Sequence, residues 1–331
     1  MTTSSTPAGA WHYTNSKGLL GIITNNVLWA SSAAFMNDEQ ELIKGQTLIG
    51  DKIKNSSNLS DQEDQHVRDL LHLIEDPERQ DFILSASESS DSLTLWRNYG
   101  REAVSYAVCL DKGVSLAPLV KKQYVETKDF PFADDDYYAP FLDGAYLPNG
   151  ETETFLVDNP DNHVFMHNRT WEKVIYDFQH QLEITDKIIR DYIEAQSHGI
   201  NTNRLEDLIG LTKSRIRREL SLIKDQGFAD ECEIRRHYSF VQPRWKFVDY
   251  RASTLGITPY VSLTTKNADA SLEGEFGAFD EYETKAHPLP VLAVRIGPCR
   301  YPELAKTALR SFLDEHGYSK TQILKSEVPF R

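Results

Sequence analysis

Short apolar runs of strand character recur irregularly on both sides of one long block of helical periodicity, and this spacing limits what the chain can fold into. Strand-like runs fall at Trp11–Thr14, Val27–Ala30, Asp81–Ser87, Ala103–Leu110, Ile234–Val241, Lys246–Tyr250, Ile257–Leu263, Val291–Ile296 and Gln322–Lys325. They do not alternate with helices as a βαβ series does. No glycine fingerprint follows any of them, which argues against a doubly wound nucleotide fold. The pattern predicts α+β architecture. Between the strand-rich parts, residues 169–197 and 204–225 carry apolar side chains at helical spacing, separated by Gly199 and Asn201. They predict an antiparallel helical hairpin, inserted over about residues 160–227.

The remaining elements follow from local signals. Asn15 and Ser16 can cap a helix beginning near Lys17, which Asn25 and Asn26 end. Residues 38–76 read as mainly helical, Leu93–Gly100 as a short helix stopped by glycine, 113–120 as a short helix, and 302–316 as the last helix. Residues 1–10 form a flexible Ser/Thr-rich tail, and 11–331 a single domain.

The formal charge is 36 − 50 = −14. That argues against broad, non-specific grip on nucleic acid or anionic membrane, though not against a local basic site. No apolar run approaches the roughly 20 residues that span a bilayer. Cys109, Cys232 and Cys299 are too few and too scattered for a disulfide framework or a zinc knuckle. A soluble cytoplasmic protein without membrane contact is expected.

Four groups of residues can carry chemistry. His12 and Thr14 share one face of a strand, with aromatic Tyr13 on the other. They can hydrogen-bond a ribose or an amide, or be ordinary polar residues of a half-exposed strand. Trp96 and Tyr99 lie three apart on a helical turn beside Arg97, which suits a flat heterocycle with a phosphate, or simple core packing. Glu231, Glu233 and Arg235 alternate, so a strand points them one way, onto an exposed face or into a polar cleft. His163 and His167 have the i, i+4 spacing of zinc ligands but lack a third, and a solvated helix start explains them better. Lys213, Arg215, Arg217 and Arg218 read as an exposed basic face, and Asp134–Asp136 as a solvated acidic turn.

The order of motifs resembles the bacterial domain-of-unknown-function family 2971. The likeness runs through His12-Tyr13-Thr14, Leu28-Trp29-Ala30-Ser31, Phe35-Met36-Asn37-Asp38 with Glu41, Ser85-Ala86-Ser87 and Trp96-Arg97-Asn98-Tyr99-Gly100. It continues through Phe228–Arg235, Tyr250-Arg251, Pro259-Tyr260-Val261, Ile296-Gly297-Pro298 and Ser326–Arg331. The opening strand, helix and Leu-Trp strand are also similar to the start of ADP-ribosyltransferase-like folds. That likeness implies a split, mostly antiparallel sheet with flanking helices, from which the hairpin read from helical spacing would protrude as an elaboration. It implies NAD as substrate. His12 would contact the nicotinamide-side ribose, Tyr99 or Trp96 would stack on nicotinamide, and Glu233 or Glu231 would align the ribose. Thr14 would line the same cleft, and Arg97, Arg235 or Arg251 would hold the pyrophosphate. Two functions follow. One is an NAD-dependent ADP-ribosyltransferase or NAD glycohydrolase, modifying an unknown protein or nucleic acid acceptor. The other is a non-catalytic nucleotide-sensing or protein-interaction module, placed in bacterial antiviral defence.

Overall fold

A computed structural model describes residues 6–35, 47–51, 65–66, 68–70, 81–99, 104–125, 142–146, 152–155, 164–165, 170–197, 216–240, 246–267 and 283–329. The expected features at Met36–Asp38, Gly100, Asp134–Asp136, His163, His167, Lys213 and Arg215 lie outside these residues.

The fold is mixed α+β around a 12-stranded, mostly antiparallel open sheet. Its strands are β1 (Ala10–Asn15), β2 (Leu28–Ser32), β3 (Asp81–Ser87), β4 (Ser105–Leu110) and β5 (Leu116–Pro118). A separate two-stranded sheet pairs β6 (Leu142–Tyr146) with β7 (Thr152–Phe155). The large sheet continues with β8 (Val164–Phe165), β9 (Glu172–Lys173), β10 (Glu233–Phe240), β11 (Val248–Ser253), β12 (Gly256–Thr265), β13 (Val291–Ile296) and β14 (Gln322–Lys325). The order β11-β12-β2-β3-β1-β4-β13-β14 is antiparallel throughout except for the parallel pair β13–β14.

One junction shapes the molecule. β10 runs along β3 from Glu233↔Ser87 to Ser239↔Asp81. The opposite edge of β3 is shared: β2 pairs with its first half, at Ser31↔Ile83, and β1 with its end, at Trp11↔Ser87. The two strands part there, and the helix Ser16–Asn25 joins them. That helix starts as its sequence dictates. The Asn15 side chain accepts a hydrogen bond from the Gly18 N–H at 2.8 Å, and Asn26 ends the helix in the left-handed region at φ 55°. Leu19, Ile22 and Ile23 go into the core.

Directly opposed residues point to the same side of a sheet, so the register assigns every side chain to a face. One face carries Ala10, Leu84, Ala86, Val108, Ile234 and Tyr238 in the largest core cluster, covered by Ser16–Asn25 and by the helix Pro302–Glu315 through Leu309 and Leu313. The other carries Trp11, Tyr13, Ala107, Cys109 and Ala293 under Leu95 and Trp96 of the helix Leu93–Tyr99. A third cluster joins Ile188, Ile189 and Tyr192 of the helix Phe178–Ser197 to Ile216 and Leu220, within helical residues 216–221.

Two stretches differ from the sequence reading. The expected short helix at 113–120 is instead β5, paired with β12 at Thr264↔Ala117. The expected helix from 169 begins only at Phe178. Asp177 caps it, accepting from the His180 N–H at 2.8 Å, while β9 runs along β10 through Ile234↔Lys173 and Ile175 bridges to Ile223. β-branched Val174 and Ile175 fit an edge as well as a helix, and the cap decides where the helix starts.

Candidate functional site

β10 positions the acidic motif, and the chain around it closes the face that motif occupies. Glu231 ends a 3-10 helix, Gln226–Glu231, and Cys232 turns the chain in the left-handed region at φ 45° before β10 begins. Glu233 and Arg235 then alternate onto one face. Arg235 grips Glu233 with two parallel hydrogen bonds, Nε to Oε1 and Nη2 to Oε2, both 2.8 Å. Its Nη1 donates to the Ser221 carbonyl. Lys224 bridges the two acids, 2.8 Å from Glu231 Oε2 and 2.9 Å from Glu233 Oε2. Asn98 donates to Glu231 at 3.4 Å, and the Glu233 N–H donates to the Tyr176 hydroxyl at 2.9 Å.

All four charged residues are buried, none more than 7% exposed. The motif therefore occupies neither an exposed face nor an open cleft. Two carboxylates, one ammonium and one guanidinium sum to zero, which is how the face tolerates burial. Burial raises the Glu233 pKa, but the Arg235 guanidinium and Lys224 ammonium more than offset it, holding the carboxyl at about 2. The expected basic face is likewise not exposed where it is described. Arg217 is buried 3.8 Å from Asp81, and Arg218 clasps Glu172 at 2.7 Å.

His12 sits where β1 and β2 part. Its Nδ1 lies 3.0 Å from the Ser85 carbonyl. A carbonyl only accepts, so Nδ1 carries the proton and Nε2 is left as the acceptor of the neutral ring. Burial lowers the pKa, the Ser85 bond partly opposing it, which favours that neutral form. Thr14 shares this face, and its hydroxyl packs against Gly18, where a Cβ would lie only 2.0 Å from Oγ1. Thr14 thus seats the helix start.

The register separates the expected partners. Trp11, Ser87 and Glu233 are paired in one row, so Glu233 shares a face with Trp11 and lies opposite to His12. Only β3 intervenes between β1 and β10, a lateral span of about 10 Å. The span suits one cleft, whereas the pleat points His12 and Glu233 to different sides.

Trp96 is buried, edge-on to Tyr13 with centroids 4.5 Å apart, and its Nε1 donates to Asp91 at 2.7 Å. It packs as core, while Arg97 and Tyr99 on the same helix are exposed. Arg251 lies elsewhere, on β11. Its Nη2 donates to Ser31 Oγ at 2.9 Å, and its guanidinium stacks 5.6 Å above Trp29, which in turn leans on Tyr260 at 4.5 Å. This aromatic and cationic patch, with Trp29 45% exposed, was not singled out as a unit by the sequence. The alternation of Trp29 with Ser31 on β2 is the signal that places them on one face.

Among the described residues no cluster of three or more His, Cys, Asp or Glu could hold a metal ion, and no helix is long and apolar enough to cross a membrane. No protein-family model, curated protein or solved structure matches the chain.

Proposed function

We propose that this chain is a nucleotide-binding module of ADP-ribosyltransferase-like layout, which holds NAD or a related dinucleotide where β1 and β2 part. The observation that carries this reading is His12. Ser85 fixes its tautomer, so a neutral imidazole offers Nε2 to a ribose hydroxyl in one orientation. The parting of β1 and β2 from one edge of β3 supports the split-sheet layout. The resemblance of the motif order to family 2971 is the ground for proposing membership of that family. The helix Phe178–Ser197 and helical residues 216–221 support a hairpin, whose outer surface would meet a macromolecular partner such as one in defence.

Of the two functions, binding without turnover is favoured by a specific observation. A carboxylate that stabilises an oxocarbenium ion must reach the anomeric carbon. Glu231 and Glu233 are instead engaged by Lys224, Arg235 and Asn98, on the face away from His12. Turnover would require those ion pairs to open. Calorimetric titration of NAD into wild type and His12→Ala tests the reading, with nicotinamide release followed in parallel. Binding to wild type, weakened by about two- to tenfold on loss of one neutral hydrogen bond, is expected without nicotinamide release. Absence of NAD binding by the wild type removes the proposal. Nicotinamide release abolished by Glu233→Gln replaces it with the transferase reading.

A further inference from the structure

Arg235 and Arg236 are adjacent on β10 and point to opposite faces, with opposite fates. Arg235 finds Glu233 two residues away on its own face. Arg236, opposite Leu84, has Ile234 and Tyr238 at those positions and is fully buried in the largest apolar cluster. Its Nη2 donates to the Val114 carbonyl at 2.8 Å and makes a long contact of 3.4 Å to the Lys112 carbonyl. Its Nε and Nη1 have no acceptor. Among the described residues no carboxylate pairs with it.

Two neighbours share this condition. The guanidinium lies 5.2 Å over the Trp171 ring, whose own buried Nε1 lacks an acceptor. The buried Tyr238 hydroxyl lies within hydrogen-bonding reach of Arg236 and meets no other partner. Burial pushes the phenol pKa up to about 12, while the charge of the Arg236 guanidinium and a hydrogen bond from it pull the other way. The indole and guanidinium can only donate, and a phenol oxygen that accepts from Arg236 still leaves its own O–H to donate. Arginine stays protonated in a protein interior, and a lone buried charge is strongly unfavourable. Water could take the hydrogen bonds but would leave the charge uncompensated.

We propose that Arg236, Trp171 and Tyr238 form an internal binding site for a compact inorganic anion, chloride being the simplest. Ile234 and Tyr238 flank Arg236 on its own face and Leu84 lies opposite it on β3, surroundings that suit a monovalent anion, which costs less to dehydrate than a multivalent one. The site is independent of the nucleotide reading, since it involves neither His12 nor the acidic cluster.

The test is the melting temperature of the full chain in sodium chloride against sodium gluconate at equal ionic strength, with gluconate too large to enter. A saturable chloride-dependent rise of at least about 2 °C is expected for wild type, because a ligand bound only by the folded state stabilises it. General salt effects do not saturate. Arg236→Met should abolish the rise. Tyr238→Phe removes one donor and should raise the half-saturating chloride concentration several-fold, so it carries the test should Arg236→Met not fold. Bromide-soaked crystals should show an anomalous peak beside Arg236. A wild-type melting temperature without a saturable chloride response, an unchanged response in Tyr238→Phe, or water alone beside the guanidinium overturns the proposal.

Discussion

Replacing Lys224 with methionine should destabilise the protein by about 3–5 kcal/mol, the range for breaking a buried ion pair from one side. The geometry leads to the same figure independently. Lys224 donates to Glu231 at 2.8 Å and to Glu233 at 2.9 Å, and each charge-assisted hydrogen bond contributes about 1.5–3 kcal/mol. With the ammonium gone, two buried carboxylates face one guanidinium. Lys224→Met combined with Glu231→Gln restores the balance of one acid to one base. The double variant should therefore be more stable than Lys224→Met alone, by about 1–3 kcal/mol, the scale of coupling between contacting residues. Urea denaturation followed by tryptophan fluorescence measures both. A loss below about 1 kcal/mol for Lys224→Met, or simple additivity in the double variant, would show that the cluster is not coupled by charge.

The same cluster sets an acid limb. Glu233 is held at about 2 against an ordinary value of 4.5. A depressed carboxyl contributes stability that is complete above 4.5 and disappears as the pH falls toward 2. The difference, 4.5 − 2, corresponds to about 3 kcal/mol at roughly 1.4 kcal/mol per unit. Lys224→Met should move this limb to higher pH, because one of the two cations holding the carboxyl down is lost. Glu233→Gln should flatten it.

Three further outcomes test the packing. Gly297→Ala places a Cβ 2.3 Å from Ser105 Oγ and 3.0 Å from the Trp96 ring, so overpacking should cost about 1–3 kcal/mol in the same denaturation assay. Gly18→Ala drives a Cβ to 2.0 Å from Thr14 Oγ1, and adding Thr14→Ala should restore part of the lost stability by removing that oxygen. In maleimide labelling at pH 8 with peptide mapping, exposed Cys232 should react first, and Cys109, buried with its thiol pushed up to about 12, should stay unmodified until unfolding.

Elements with local signals were legible in the sequence. Asn15 and Asn26 bracket the first helix because a cap and a left-handed terminator act within a few residues. β13 and β14 fall where their apolar runs predict, at Val291–Ile296 and Gln322–Lys325. Tertiary partners decided the rest. β5 becomes a strand because β12 offers an edge, and Glu172–Lys173 stays extended because β10 does. Alternation placed Glu233 and Arg235 on one face, but it does not tell whether that face is covered. The cover comes from Lys224 and the Ser221 carbonyl, which no strand period encodes.

The separation of His12 from Glu233 has the same origin. Each strand's own phase is local, whereas the phase between strands depends on register. A slip of one residue between β1 and β3 would bring His12 onto the Glu233 face. It would also move Trp11 and Tyr13 off theirs. Trp11 is 1% exposed, and the Tyr13 hydroxyl donates to the Ser89 carbonyl at 2.9 Å and accepts from the Ser92 N–H at 3.0 Å. Those two bonds tie β1 to the turn that follows β3. Two aromatic side chains and a turn therefore fix the register, and with it keep the one imidazole of β1 on the face away from the buried acids. Any chemistry joining His12 to Glu233 must first undo that aromatic anchorage, and that is the ground on which binding rather than turnover is proposed.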